Sequence, residues 1–345
     1  MLGKLKILIP FFTVFLASCA TTIPGIYLKK SSDVEMELHS EVYGIEAMTI
    51  SRDGQYLLTG DNGGGLLAMG AKSSFRLWDI TQGIQILMLN TSGMITSIAM
   101  SPDNKYAVTG GFVTSAGSFP PLNILDITTR KLFKSYERFK GFRGDEFNSV
   151  SFSRDGRYFL TADWTSIYIF DAKTWNLIKT LTPEDYSPPS ALFPTYKKSF
   201  VAAFSPDGRY ILSGGPDAVV RLWSLETGGE IKKFYGHKSS ILSGGISSVA
   251  FSPDNRYALT NAYSDEHVIL WDINTGAEIR RFSGFESTGG MYFLSHSLSF
   301  SPDGNRAFIY GGPAKVVDIE TGEGVADLSD AWKGLSFFNS KVAAR

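Results

Sequence analysis

Short runs in which apolar and polar residues alternate recur along this chain, and each run is cut off by a polar turn. Ile246-Ser-Ser-Val-Ala-Phe251 alternates with period two, breaks at Ser252-Pro-Asp-Asn-Arg256 and resumes as Tyr257-Ala-Leu-Thr260. Period-two patterning on both sides of a turn predicts an antiparallel hairpin. The turn hexamer occurs six times with small changes, beginning at Ser51, Ser101, Ser153, Ser205, Ser252 and Ser301. In Ser205-Pro-Asp-Gly-Arg-Tyr210, Pro presets φ, Asp bonds to nearby backbone, and Gly (Asn in other copies) accepts a positive φ. Successive starts are 50, 52, 52, 47 and 49 residues apart, the period of a repeat architecture.

Each hairpin is followed by a third run that ends on an aromatic or apolar residue and usually Asp. These endings are Trp78-Asp79, Leu125-Asp126, Phe170-Asp171, Trp223-Ser224, Trp271-Asp272 and Val317-Asp318. A short polar turn follows, clearest as Asn274-Thr-Gly276 and Glu320-Thr-Gly322, and then a fourth run such as Glu278-Ile-Arg-Arg-Phe282. Four antiparallel strands per repeat make one propeller blade.

These residues resemble the WD40 repeat family over six copies, roughly 45–328. The likeness is strongest in the fourth and fifth copies, where Asp217 and Asp265 stand six residues before Trp223 and Trp271. The family's Gly-His pair occurs once, at Gly236-His237, and in the third copy Trp164 stands where that Asp would be. The resemblance therefore implies a bracing polar network complete in at most one blade, the one holding His237, Asp265 and Trp271. Asp217 with Trp223, and Trp78, are its partial counterparts elsewhere, and the remaining blades are expected to rely on packed apolar faces.

The fold expected is all-β, a seven-bladed WD40-like β-propeller with one blade shared between the N- and C-termini. Residues 25–29 and 34–38 flank a Ser31-Ser32-Asp33 turn like a third and fourth strand, and 331–338 reads as another first strand. Sharing a blade between the termini removes open sheet edges. A six-bladed ring is the alternative.

The start of the chain carries a different signal. Lys4 and Lys6 precede an apolar run from Ile7 to Ala17, shorter than the roughly 20 residues needed to span a bilayer. It ends in Leu16-Ala-Ser-Cys19, which resembles the lipobox of bacterial lipoproteins, and Cys19 is the single cysteine. The resemblance implies a signal peptide over 1–18, lipid on Cys19, a tether over 19–24 and the propeller over 25–345. It also implies attachment to the cell envelope, at the outer membrane where the host sorts by the residue after the Cys, here Ala20. An ordinary signal peptide or a buried Cys is the plainer reading.

The 345 residues are 43% hydrophobic with a net charge of −1, so a large core is available and non-specific nucleic-acid binding is disfavoured. No nucleophile motif, phosphate loop or Cys-based metal signature is present. The recurring Asp residues belong to turns. His39, His237, His267 and His296 map to one end of the blades but to different blades, which speaks against a zinc site. No catalytic residue, metal or cofactor is expected.

In an up-and-down meander, the first-to-second and third-to-fourth turns share one end, and here they are short and uniform. Nearly all length variation falls at the other end, in 62–74, 112–121, 138–147, 182–198, 236–245 and 283–295. Long loops on a rigid scaffold carry binding. Phe119, Phe142, Arg143, Trp164, Tyr186, Tyr196, Phe285 and Tyr292 lie in or beside these loops and are the candidate contacts for a protein partner, membrane-embedded or membrane-attached. Two other outcomes are open: the loops bury their own aromatics, or the central channel mouth, with Glu46 and His296, serves an envelope enzyme of hydrolase or lactonase type or a small-ligand binder.

Overall fold

A computed structural model describes residues 29–30, 36–37, 45–61, 73–91, 93–113, 122–136, 147–186, 200–238, 245–263, 265, 267–283, 297–310 and 315–327. Among these residues the chain is all-β. It forms six four-stranded antiparallel sheets, each built from four consecutive strands, and one two-stranded sheet that pairs Lys29–Lys30 with Met36–Glu37. The sheets, numbered 1 to 6 in chain order, run over 45–91, 93–136, 149–181, 201–234, 246–282 and 297–327. Their first strands pack against one another in succession from sheet 1 to sheet 6, so each sheet has an inner first strand and an outer fourth strand. This arrangement fits a propeller.

Alternation along the strands fills the space between sheets. Sheets 1 and 2 share Leu58, Leu77, Ala107 and Leu125; sheets 4 and 5 share Leu212, Leu222, Ala258 and Trp271; corresponding clusters join 2 to 3, 3 to 4 and 5 to 6. The opposite face of sheet 1 buries Met48, Leu57 and Trp78 in a cluster that contains no described residue of sheet 6.

The six hexamer turns share one hydrogen-bond scheme. At Ser205, the hydroxyl donates to Asp207 (2.6 Å) and accepts from the Tyr210 amide (2.9 Å), while the Arg209 amide donates to Asp207 (3.1 Å). The fourth position has positive φ in every copy, between 59° at Asn104 and 77° at Gly304. Asn in place of Gly adds a link between sheets: Asn104 Oδ1 accepts from the Arg52 amide and Asn255 Oδ1 from the Asp207 amide, each one sheet earlier in the chain.

Each outer strand carries one extra residue opposite the third strand: Ile86, Phe133, Ile178, Ile231, Ile279 and Val325. Such bulges twist an edge strand away from unwanted pairing. In sheets 2 to 5 the next residue is a cation, Lys134, Lys179, Lys232 or Arg280, and it reaches the following sheet. Lys179 Nζ donates to the carbonyls of Leu225 (2.7 Å) and Glu226 (2.6 Å), and Arg280 donates to those of Thr321 (2.8 Å) and Glu320 (2.7 Å). Lys134 binds the Trp175 carbonyl, and Lys232 those of Ile273 and Asn274. One residue thus latches the third-to-fourth turn of each of sheets 3 to 6 to the sheet before it.

Candidate interaction face

The two ends of the sheets differ as the turn lengths require. The first-to-second turns are the six hexamers, and the third-to-fourth turns are equally short, capped by Asp79, Asp126, Asp171, Ser224, Asp272 and Asp318. The opposite end carries the second-to-third and sheet-to-sheet connections. There, three carboxylates brace sheets 3, 4 and 5.

In sheet 5, His237 Nδ1 donates to Asp265 (2.9 Å), and its Nε2 meets the Thr260 hydroxyl (2.7 Å), which accepts from the Trp271 indole (2.7 Å). The second oxygen of Asp265 accepts from His267 Nδ1 (2.9 Å). Burial works against ionisation of Asp265, but the bonds from His237 and His267 outweigh it and hold the carboxyl well below its ordinary range. Two of the four histidines therefore meet on one carboxylate although the sequence assigns them to different blades. Among the described residues no group of three or more His, Cys, Asp or Glu is arranged to hold a metal ion.

In sheet 4, no described histidine reaches Asp217. Arg221, 1% exposed, grips both of its oxygens instead, with Nη2 at 2.6 Å and Nη1 at 3.2 Å. Arg221 also lies 3.3 Å from Asp185 and 3.2 Å from Glu230, and Lys233 pairs with Asp185 at 2.8 Å and Glu230 at 3.2 Å. Burial would lower the pKa of the guanidinium, but the carboxylates around it raise it. The hydrogen bond from Lys233 lowers that of Asp185. The Trp223 indole donates to Ser213 (2.8 Å), and in sheet 1 that of Trp78 donates to Thr59 (3.2 Å).

Sheet 3 corrects the reading of Trp164. The bracing carboxylate is Asp163, fully buried and one residue earlier; it accepts from the amides of Thr165 (2.7 Å) and Ser166 (2.9 Å) and from the Tyr168 hydroxyl (2.8 Å). Burial first, and the Asp163 charge next, push the Tyr168 phenol up. Sheets 3 and 4 thus carry carboxylate braces of their own beside their packed apolar faces, while the His-Asp-Thr-Trp chain occurs, among the described residues, in sheet 5. Tyr168 and Arg221 sit two residues before Phe170 and Trp223, and each reaches the Asp that a histidine reaches in sheet 5.

Of the candidate contact residues, the structure describes Trp164 and Tyr186. They come together: the Tyr186 hydroxyl donates to the Trp164 carbonyl (3.1 Å), and its ring packs edge-on against Phe200 at 5.3 Å. Burial pushes the Tyr186 phenol up. Tyr186 is thereby committed to internal contacts, and Asp185 beside it pins the start of the 182–198 connection onto sheet 4. Sequence reading missed Asp163, Asp185 and Arg221; an arginine within an apolar run, two residues before a Trp, was the available signal for the last. Cys19, Phe119, Phe142, Arg143, Tyr196, Phe285, Tyr292, His39 and His296 lie outside the described residues, as do 1–28 and 328–345.

Three stretches of the chain, 133–171, 196–224 and 228–272, match the WD40 family of WD domain, G-beta repeats. They run from the outer strand of sheet 2 to the third strand of sheet 5 and take in all three bracing carboxylates. The chain is similar to WD repeat-containing protein AAC3 of Dictyostelium discoideum, at 26% identity over 47% of this chain and 30% of that protein. It is 26% identical to autophagy-related protein 16 of Arabidopsis thaliana over 60% of this chain and 36% of that protein. A bromodomain and WD repeat-containing protein of Dictyostelium discoideum is 34% identical over 34% of this chain and 5% of its own length. The chain thus spans little more than a third, or less, of the curated relatives it matches.

Proposed function

We propose that this protein is a non-catalytic interaction scaffold, a seven-bladed WD40-like propeller held to a bacterial cell envelope by lipid on Cys19, with its loop-bearing end turned to a protein partner. The observation that carries this is the inequality of the two ends. One end is a set of near-identical short turns; the other has long connections and three braced carboxylates beneath them. Connections on a rigid frame are where recognition resides. The likeness to WD-repeat proteins supports the scaffold role, and the Leu16-to-Cys19 pattern is what supports the envelope address. The cluster of Met48, Leu57 and Trp78, with no described residue of sheet 6 in it, leaves room for a seventh blade made from both termini.

A photo-crosslinking amino acid placed in living cells at Glu184, exposed on the loop-bearing end, should give one discrete protein adduct. The same probe at Asp303, in a hexamer turn, should give none. Equal adducts from both positions, or an adduct from 303 alone, would reverse the assignment of the working end. Independently, Cys19→Ser should release the protein from the membrane fraction and abolish labelling by a fatty-acid analogue; retained labelling would remove the anchor from the reading.

A further inference from the structure

The outer strand of sheet 1, Ile84–Thr91, differs from the other five. It is eight residues long, against four to six in sheets 2 to 6. It reads IQILMLNT and carries no charge, whereas every other outer strand has at least one: Lys131 and Lys134, Lys179, three in Glu230–Phe234, three in Glu278–Phe282, and Asp327. At the position where sheets 2 to 5 carry a latch cation it has Leu87, turned onto the cluster shared with sheet 2. In sheets 2 to 6 the bulge residue is itself a half-exposed apolar side chain, whereas in sheet 1 the bulge residue Ile86 packs on the cluster shared with sheet 2. The half-exposed apolar side chains of this strand are Ile84 before the bulge and Met88, 46% exposed, beyond it, with Gln85 and Asn90 also outward. Its single strand partner among the described residues is Ser73–Asp79.

Edge strands are normally defended by shortness, charge and bulges. This one keeps the bulge and drops the other two. We infer that the outer edge of sheet 1 takes up an extended, uncharged segment of a partner protein as a fifth antiparallel or parallel strand. Main-chain hydrogen bonds would supply affinity, and alternate side chains would pack beside Met88. Edge pairing with a second copy fits less well. Eight residues span roughly 27 Å at a sheet thickness of about 10 Å, so two rigid copies would bury on the order of 300 Å² each, well short of the ~800 Å² per partner of a stable interface. A flexible segment is not limited to that strip. This surface is separate from the loop-bearing end, and the inference stands without that reading.

The probe is a capped, fluorescein-labelled octapeptide of alternating threonine and valine with a solubilising Gly-Lys tail. A second version has proline at its third and sixth positions, which removes donors from both hydrogen-bonding edges. Anisotropy titration should show saturable binding of the first peptide to the full chain. Binding should weaken at least tenfold for Met88→Lys, stay unchanged for Ile279→Lys on the outer strand of sheet 5, and vanish for the proline peptide. Met88 is exposed, so Met88→Lys should melt with the parent protein. Absence of saturable binding, equal binding by Met88→Lys, or binding of the proline peptide would overturn the inference. A concentration-dependent dimer of the parent chain that Met88→Lys abolishes would assign the edge to a second copy instead.

Discussion

Asp265 accepts from two imidazoles and one amide, so the network around it holds only while the carboxylate is ionised. Its folded pKa lies below the ordinary value of 3.8. Its contribution to stability is therefore fully present above that value and is lost as pH falls through it toward the folded pKa. Thermal melts of the parent protein should decline in midpoint below about pH 4. Asp265→Asn should cost about 2–4 kcal/mol at pH 7, because it leaves buried partners unmatched, and should flatten that acid decline. Glycines give a second contrast. Gly208 has φ of +70° and open space around an added Cβ, so Gly208→Ala should cost about 1 kcal/mol from backbone strain alone. Gly208→Asn should cost less, since Asn104 and Asn255 hold the equivalent place. At Gly214 an added Cβ would lie 2.2 Å from Ile246, so Gly214→Ala should cost more, about 1–3 kcal/mol by overpacking. Denaturant unfolding of the three variants checks the order. At this scale the turn residues were legible, because φ and Asp chemistry are local. Asp163 was not, because it stands seven residues before Phe170, against six for Asp217 before Trp223 and Asp265 before Trp271, and counting back six from Phe170 lands on Trp164.

The strands themselves were legible from alternation, and all six third strands end where the sequence puts the Asp or Ser. The outer-strand bulge was not, since one inserted residue turns Glu-Ile-Lys-Lys-Phe into a pattern readable in two registers. The latches were also hidden, because their partners lie about 40 residues away and are carbonyls, which any residue supplies. Yet they explain why a cation follows the bulge in four consecutive sheets. The stem of Lys232 packs against Gly276 of the next turn, with Cδ at 3.0 Å from where a Cβ would stand. Lys232→Met should keep that packing and lose the two carbonyl bonds, costing about 1 kcal/mol. Hydrogen exchange should quicken at the Ile273–Gly276 turn while the hexamer turn at Ser205 is unchanged. If the two turns respond alike, the latch is not a local device.

Whole-ring closure depends on what covers the outer face of sheet 1. Leu57 is 1% exposed and Trp78 7%, and on the far face of sheet 6 Val316 is 6% exposed, yet among the described residues the cluster holding Leu57 and Trp78 includes none of sheet 6, and the cluster of sheet 6 faces sheet 5. Large apolar groups reach such burial only when packed on both sides. Lys29–Lys30 and Met36–Glu37 pair antiparallel, as the third and fourth strands of a seventh blade would. If the termini complete a seventh blade, each of sheets 1 and 6 has half its cover from the end of the chain. Ending the chain at Leu328 should then raise amide exchange roughly tenfold or more in Tyr56–Asp61 and Arg306–Tyr310, the penalty of about 1.4 kcal/mol or greater falling on both flanks of the seam. Sheets 3 and 4, with neighbours on both sides, should keep their protection. In a six-bladed ring sheets 1 and 6 cover each other, and the same truncation would leave all four sheets as they were. Because a propeller shares stability between nearest neighbours, a loss confined to the two flanks would locate the seam by where the protection fails.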